Sequence, residues 1–367
     1  MMALTRGHLR ALNQVAGLSR DNNQEEGKIM SRAVVLAERP SGAPRVDNFR
    51  IVDEAERALA DGELRIENHF LSLDPYMRPK LNEEVPYGEP LKLGDVIIGE
   101  TVGVVSESRS ALYQVGEVVC ALSGWRTQYV TTDTDDSLIK VEDTELPLSV
   151  HLGAAGMPGR TAYFGLLKLG KPKAGDLLVV SAASGAVGSV VGQIGKLFGC
   201  RVVGVAGGPE KCRYVEQHYG FDRCLDYKNE GFAAALRAAC RGGIDIYFEN
   251  VGGAVTREVA GLLNHGARVP ICGYISAYDN LSDAETPMDV FGALDDPPEH
   301  RFFLTPEWRK EFVGATRQLS AWVSEGKIRY SESIAEGIDN APAAFIGMLR
   351  GENMGKQLVR LNVGSSK

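Results

Sequence analysis

Between residues 176 and 272 the apolar positions follow two alternating rhythms. Short, nearly unbroken apolar runs rich in β-branched residues occur at Asp176–Ser181, Arg201–Val205, Cys224–Asp226, Ile244–Glu249 and Ala267–Cys272. Their length and composition predict strands. Between them, apolar residues spaced three and four apart predict helices over Ala186–Leu197, Pro209–His218, Phe232–Cys240 and Val255–Leu263. Strands that are apolar on both sides need cover on both faces. The βα alternation therefore predicts an α/β fold with a doubly wound parallel sheet of Rossmann type.

The earlier part of the chain has a different pattern. From Ser31 to about Asp133, runs such as "RAVVLA", "ELRIENHFLSL", "DVIIGETVGVV" and "EVVCALSG" are broken by turns, as in a small, partly open β-barrel. In "GMPGRTAYFGLLKLG", Thr161, Ala162, Phe164, Gly165 and Leu166 predict a helix after a Pro158–Gly159 turn. Towards the end, "EFVGATRQLSAWVSEG" reads as an amphipathic helix and "KQLVRLNV" as a closing strand, both returning to the first domain. The expected division is a barrel domain over 30–160, a nucleotide-binding domain over 161–305 and a return over 306–367. Residues 1–29 are polar and lack an apolar signal core, and a second start-like methionine, Met30, opens the first strand-like run. They are expected to be a poorly ordered extension.

Composition narrows the function. The 367 residues are enough for two domains, and 44% hydrophobic content is globular rather than disordered. A net charge of -8 and a pI near 5.4 argue against a nucleic-acid surface or a polybasic membrane patch. No apolar run approaches the roughly 20 residues of a membrane-spanning helix. The cysteines Cys120, Cys200, Cys212, Cys224, Cys240 and Cys272 are never closer than 12 positions. That spacing suits neither a disulfide framework nor a zinc site, so reduced thiols in a cytoplasmic protein are expected.

The candidate chemistry starts at "LLVVSAASGAVGSVVGQIGKL", where strand, glycine turn and helix follow in order. Ala183, Gly185 and Gly188 form a variant of the dinucleotide fingerprint. Gly185 lets a pyrophosphate approach its backbone, Gly188 lets the helix lie close to the strand, and the helix amides face the anion. NAD-binding sheets offer an acid about 20 residues past that turn. Here the place reads Ala206-Gly207-Gly208, and Lys211 follows at the start of a helix. A missing acid and a nearby amine favour NADPH over NADH.

These residues, with "NHFLSLDPYMR", "GMPGRTAYFGL", "AGGPEKC", "ENVGG", "CGYISAY" and "GENMGK", resemble the medium-chain dehydrogenase/reductases. Within them the chain is similar to the zinc-independent NADPH-dependent alkene reductases, the leukotriene hydroxydehydrogenase/prostaglandin reductase and curcumin reductase group. The resemblance implies a GroES-like barrel domain beside the Rossmann domain. It places the phosphate turn on Gly185, Ala186, Val187 and Gly188, the 2′-phosphate lysine on Lys211, and a tyrosine flanking the adenosine on Tyr227. Asn250 falls near the cofactor ribose. The loop Cys272, Gly273, Tyr274, Ile275, Ser276, Ala277 and Tyr278 falls along the nicotinamide. Asn353 falls on a cofactor contact from the returning domain. Phe303, Leu304 and Thr305 fall where the family has an apolar strand beside the nicotinamide. The family often carries a tyrosine shortly before that strand, whereas this chain has "GALDDPPEH" with Asp295 near the place.

Metal-free chemistry is expected, because Gly99-Glu100 is followed by Thr101 rather than by a ligand histidine. His69 and His151 are read as core or loop residues. An activated C=C bond needs a hydride at the β-carbon and a hydrogen-bond donor at the carbonyl oxygen. Tyr278 is the first candidate as a cofactor-side positioner, with Tyr76 as a pocket wall. Tyr163 and Tyr274 are further candidates, and Arg78 is read as a structural ion pair. The expected partner is a small α,β-unsaturated ketone or aldehyde. A quinone reductase and a non-catalytic NADPH-binding sensor or scaffold remain the rival readings. A homodimer is expected, paired through "ARVPICG" at the sheet edge.

Overall fold

Two-residue alternation organises the first sheet. In the strand Glu63–Ser72, Leu64 and Ile66 are buried, Glu63 and Arg65 are half-exposed, and Glu67 faces solvent. The structure, a computed structural model, describes residues 31–361 apart from 86, 87, 144, 282 and 283. The extension expected over 1–29 therefore lies outside the described residues.

Strands β1 (Ser31–Leu36) and β2 (Phe49–Glu54) form an antiparallel pair. Strands β3 (Glu63–Ser72), β4 (Thr101–Ser108), β5 (Val118–Ala121), β6 (Gln128–Thr132) and β7 (Ile139–Lys140) belong to a larger sheet. Trp125 is fully buried beneath it, stacked on Phe49 at 5.7 Å and edge-on to Phe345 at 5.5 Å.

The chain then enters α1 (Met157–Phe164), which widens into a π-helical turn over Gly165–Gly170. Pro158 sits inside the first turn of α1 rather than in a turn before it, because a proline there gives up an amide that has no helical partner anyway. The parallel sheet follows as β8 (Leu177–Val180), α2 (Gly188–Leu197), β9 (Arg201–Ala206), α3 (Pro209–Tyr219), β10 (Arg223–Asp226), α4 (Phe232–Ala239), β11 (Ile244–Phe248), α5 (Gly253–Ala260), β12 (Leu263–Ile271), α6 (Pro287–Gly292) and β13 (Glu299–Phe302). Its order, β10-β9-β8-β11-β12-β13, with every pair parallel, is that of a doubly wound Rossmann sheet. Leu178, Val180 and Val202 face one apolar layer, and Leu177, Val179 and Val203 face the other, which is why these strands lack polar alternation.

The last elements are α7 (Phe312–Ser324), β14 (Glu332–Glu336), α8 (Ala341–Leu349) and β15 (Lys356–Arg360). β15 runs antiparallel to β3 and parallel to β14, so the first sheet is mixed and follows the path β14-β15-β3-β4-β5-β7, with β6 on β3. That path is open, with β14 and β7 at its ends.

Several sequence expectations shift. The helix expected over Val255–Leu263 ends at Ala260, and Leu263 opens β12. The register then slips between Leu263 and Arg268, across the Asn264–Gly266 stretch, where Gly266 has φ +70°. "ARVPICG" is not at the sheet edge. β13 lies outside β12, and its polar sequence "EHRF" hid that strand from an apolar pattern. The strand expected at Phe303–Thr305 lies just before that stretch instead: β13 ends at Phe302, and the chain turns into a short 3-10 helix at Thr305.

Candidate active site

The glycine turn grows out of β8. Ala182 adopts φ 49°, a left-handed conformation that costs a non-glycine residue about 1–2 kcal/mol. The turn is fixed by Ala183 N–H donating to Val205 O (3.0 Å) and Gly185 N–H donating to Ala182 O (2.9 Å). A Cβ on Gly188 would lie 2.4 Å from Ala182 O, a main-chain atom that cannot step aside, so α2 can lie this close only with glycine there. A Cβ on Gly185 would meet only Ala182 O, at 3.2 Å, and would otherwise project into open space. Helix α2 starts at Gly188 rather than at the expected Ala186, because residues 182–187 form this turn.

From the other sheet, Gly355 N–H donates to Ser184 O (2.9 Å). The residue after it, Lys356, donates through Nζ to Leu73 O (2.8 Å) and to Asp74 Oδ1 (2.5 Å). The beginning of β15 thus joins the glycine turn to the segment that precedes Tyr76.

At the end of β9, Gly208 (φ +98°) turns the chain into α3, and Lys211 Nζ donates to Gly351 O (2.6 Å). Burial and the neighbouring Lys228 ammonium hold the Lys211 amine below the usual lysine range. Tyr227 is exposed and lies with Lys228 across Gly207, where a Cβ would meet Tyr227 Cε1 at 3.1 Å and Lys228 Cε at 3.2 Å. Asp226 does not oppose these cations, since its Oδ1 accepts the amides of Gly208 (2.8 Å) and Lys228 (3.0 Å).

The "ENVGG" corner is built around Glu249, whose side chain is fully buried. Its Oε1 accepts Ser181 Oγ (3.1 Å), Val251 N–H (2.7 Å) and Gly252 N–H (3.1 Å), and Oε2 accepts Thr256 Oγ1. Asn250 Nδ2 donates to Ser181 O (2.7 Å). One carboxylate therefore locks the ends of β8 and β11 to α5. Sequence reasoning passed over Glu249, although an acid at the end of an apolar strand is a signal for a buried, fully bonded carboxylate.

The following loop hangs on this corner through Cys272 N–H donating to Glu249 O (2.8 Å). Burial pushes the Cys272 thiol up to about 12. Ser276 Oγ donates to Val251 O (2.6 Å), and Ile275–Ala277 forms a 3-10 turn. Tyr274 and Tyr278 are both buried, edge to face at 5.7 Å, and the Tyr278 hydroxyl lies over Gly273, 2.9 Å from where a Cβ would stand. Arg78 reaches this loop from the first sheet: Nε donates to Asp279 (2.8 Å), Nη1 to Asn82 Oδ1 and Nη2 to Gly42 O. It is a structural ion pair.

A cavity of about 230 Å³ runs along these elements. It brings together Gly185, Ala186, Lys211, Tyr227, Ile275 and Asn353 from the sequence-derived set. Asn250, Cys272, Gly273, Tyr274, Ser276, Ala277 and Tyr278 belong to the adjoining corner and loop. Val187 packs on the core, and Gly188 lies behind the turn. Tyr76 follows the lining residue Pro75 and packs against the first-sheet core. Phe303, Leu304 and Thr305 do not line the cavity. Phe303 is buried edge-on to Phe248, Leu304 is exposed, and Thr305 shares a hydroxyl contact with Thr161 (2.6 Å). Lining residues that the sequence did not single out include Asp74, Lys228, Arg350 and Lys356.

The comparisons with known proteins include a family model whose description invokes zinc, and the local geometry does not fit that metal. Thr101 stands beside Glu100, with its hydroxyl in contact with Asn68 Oδ1 (2.8 Å) and Ser123 Oγ (2.7 Å). Among the described residues no three His, Cys, Asp or Glu side chains gather as a ligand set.

Residues 32–141 match the family model described as the N-terminal domain of oxidoreductase, and residues 186–293 match the one described as zinc-binding dehydrogenase. The chain is 44% identical to the NADPH-dependent curcumin reductase of Escherichia coli (strain K12), over 91% of this chain and 98% of that protein. It is 42% identical to prostaglandin reductase 1 of Sus scrofa, over 87% of this chain and 95% of that protein. The crystal structure of CurA in complex with NADPH from Vibrio vulnificus superposes with a TM-score of 0.85 at 44% identity, covering 91% of this chain and all of that one. An Escherichia coli quinone oxidoreductase structure, at 16% identity and a TM-score of 0.74, shares the fold. By fold, by site geometry and by relatives similar along nearly their whole length, the chain belongs to the zinc-independent medium-chain dehydrogenase/reductases, in the alkene reductase group.

Proposed function

We propose that this protein is an NADPH-dependent reductase of the C=C bond in α,β-unsaturated ketones and aldehydes. One observation carries the reading: a single cavity joins a glycine turn to Lys211 just after β9, where Asp226 is turned into the Gly208 amide rather than toward the cavity lining. The relatives named for NADPH-dependent curcumin reduction and prostaglandin reduction support it.

NADPH, when bound, supplies the hydride that goes to the β-carbon. The chain's own residues bind and orient. The amides after Ser184 meet the diphosphate, Lys211 meets the 2′-phosphate and Tyr227 flanks the adenosine. Asn353 approaches from the turn before β15, and the Glu249 corner holds Asn250 and the 272–278 loop in place. We assign Tyr278 as a positioner on the cofactor side and Tyr76 as a pocket wall. A donor aimed at the carbonyl oxygen is worth about 2.7–4 kcal/mol in comparable sites.

The reading also covers domain division and assembly. We divide the chain into a sheet domain over 30–160, a nucleotide-binding domain over 161–305 and a return from 306. We place the protein in the cytoplasm as a homodimer, in keeping with its six free cysteines. The pairing edge becomes β13, which has a strand partner on one side only among the described residues. A monomer mass by light scattering would refute the dimer. The function is tested with NADPH, a panel of enones and product analysis. Saturated ketone or aldehyde should form with matching NADPH loss, and no turnover on any enone would overturn the reading.

A further inference from the structure

Three cations line the adenosine end of the cavity: Lys211, Lys228 and Arg350. The lining contains one acid, Asp74, and it is already paired with Lys356 at 2.5 Å. Of the two acids that stand two positions from Lys228, Asp226 is turned into the amides of Gly208 and Lys228, and Glu230 is exposed and outside the lining. Among the described residues neither Lys228 nor Arg350 forms a side-chain ion pair.

The three cations come from different parts of the fold. Lys211 and Lys228 follow β9 and β10 of the parallel sheet, whereas Arg350 stands at the C-terminal end of α8, in the segment leading to β15. The hydrogen bond from Lys211 Nζ to Gly351 O brings the lysine to the residue beside Arg350. An ammonium has three donors, so Lys211 can keep this bond and still meet an anion. Like charges gathered without a counter-acid in the lining repel one another until an anion neutralises them; the Lys211 amine is held low first by its burial and then by the Lys228 ammonium.

We propose that Arg350 is a cofactor-specificity residue that, together with Lys211 and Lys228, meets the 2′-phosphate of NADPH from the opposite side of the cavity. The inference rests on the NADPH reading above. It adds that the phosphate is clasped between two parts of the fold rather than held on the parallel sheet alone. A phosphate carrying close to two negative charges matches a fork and two amines better than a lone lysine.

The test uses the full chain and isothermal titration with NADPH and with NADH, for the wild type, Arg350→Ala, Arg350→Lys and Lys211→Ala. Arg350→Ala should weaken NADPH binding roughly tenfold, the size of one lost charge-assisted hydrogen bond, and leave NADH within about twofold. Arg350→Lys should recover part of the loss, and the salt dependence of NADPH binding should flatten in Arg350→Ala. Equal effects on both cofactors, or no effect on either, would overturn the proposal. If Lys211→Ala discriminates between the cofactors and Arg350→Ala does not, the clasp fails while the NADPH reading stands. If Lys211→Ala does not discriminate, the phosphate role of that lysine fails, and a wild type that binds NADH as tightly as NADPH would overturn the NADPH reading itself. Arg350 is exposed, so its replacement should leave the melting temperature unchanged, and Arg350→Gln provides a second neutral variant.

Discussion

Lys356 tests the joint between the phosphate turn and the first sheet. Its side chain is 4% exposed and that of Asp74 is 8% exposed, so the pair has left water almost completely. Lys356→Met would leave Asp74 with the Ser72 hydroxyl as its remaining side-chain partner and would orphan the Leu73 carbonyl. Breaking a buried ion pair from one side costs about 3–5 kcal/mol, whereas replacing both partners by apolar groups of similar size is often nearly neutral. The double variant Asp74→Leu/Lys356→Met should therefore be more stable than either single variant, with a coupling energy of at least about 2 kcal/mol. Glu100 feels the charges of Asp74 and Lys356 in opposite directions, so removing both should disturb it little. Urea unfolding followed by tryptophan fluorescence reads the stabilities, with Trp125 in the first-sheet core as one reporter. Because Gly355 bonds Ser184, the single variants should also weaken NADPH binding, and the double variant should restore it. A loss below about 1 kcal/mol in Lys356→Met, or a double variant equal to the sum of the singles, would refute the argument.

Two further outcomes follow from the turn and from burial. Gly185→Ala should keep the wild-type melting temperature yet lose NADPH affinity, because its Cβ meets little protein and occupies the space needed by the diphosphate. Gly188→Ala should lose both, at a stability cost of about 1–3 kcal/mol, because its Cβ would press on Ala182 main-chain atoms. Thermal melts and titration calorimetry separate the two, and identical behaviour would contradict the geometry. His151 is buried with Nε2 unpaired among the described residues, and burial lowers its imidazole below the ordinary 6.5. Below pH 6.5 the unfolded chain takes up a proton that the folded chain refuses. Stability should then fall by up to about 1.4 kcal/mol per pH unit until the folded imidazole also protonates. His151→Leu should remove that slope in urea titrations between pH 7 and 5, and parallel curves would sink the assignment.

What could be read from the sequence depended on whether a residue's role was local. The parallel strands announced themselves because both faces are buried, so Leu177–Val180 and Val202–Ala206 are free of polar side chains. The glycine turn was legible because Gly188 answers a close approach only six residues away, at Ala182. β13 and β14 were not, since an edge strand such as "EHRF" and a half-exposed one such as "ESIAE" bury too few residues to leave a pattern. Leu263 was placed in a helix because periodicity cannot mark where α5 ends and a bulged strand begins.

The site divides along the same line. Lys211 could be found from its own neighbourhood, three residues past the strand-end glycines. Arg350, Lys356 and Asp74 acquire meaning only when the start of β15 meets the glycine turn, through a contact between Gly355 and Ser184 that spans most of the parallel sheet's sequence. No spacing rule links residues so far apart in the chain. Both ends of the cavity are braced by the same short run, with Gly351 holding Lys211 and Gly355 holding Ser184. A change that shifts residues 351–355 should therefore move Lys211 and the glycine turn together, although neither is built on the sheet that carries that run.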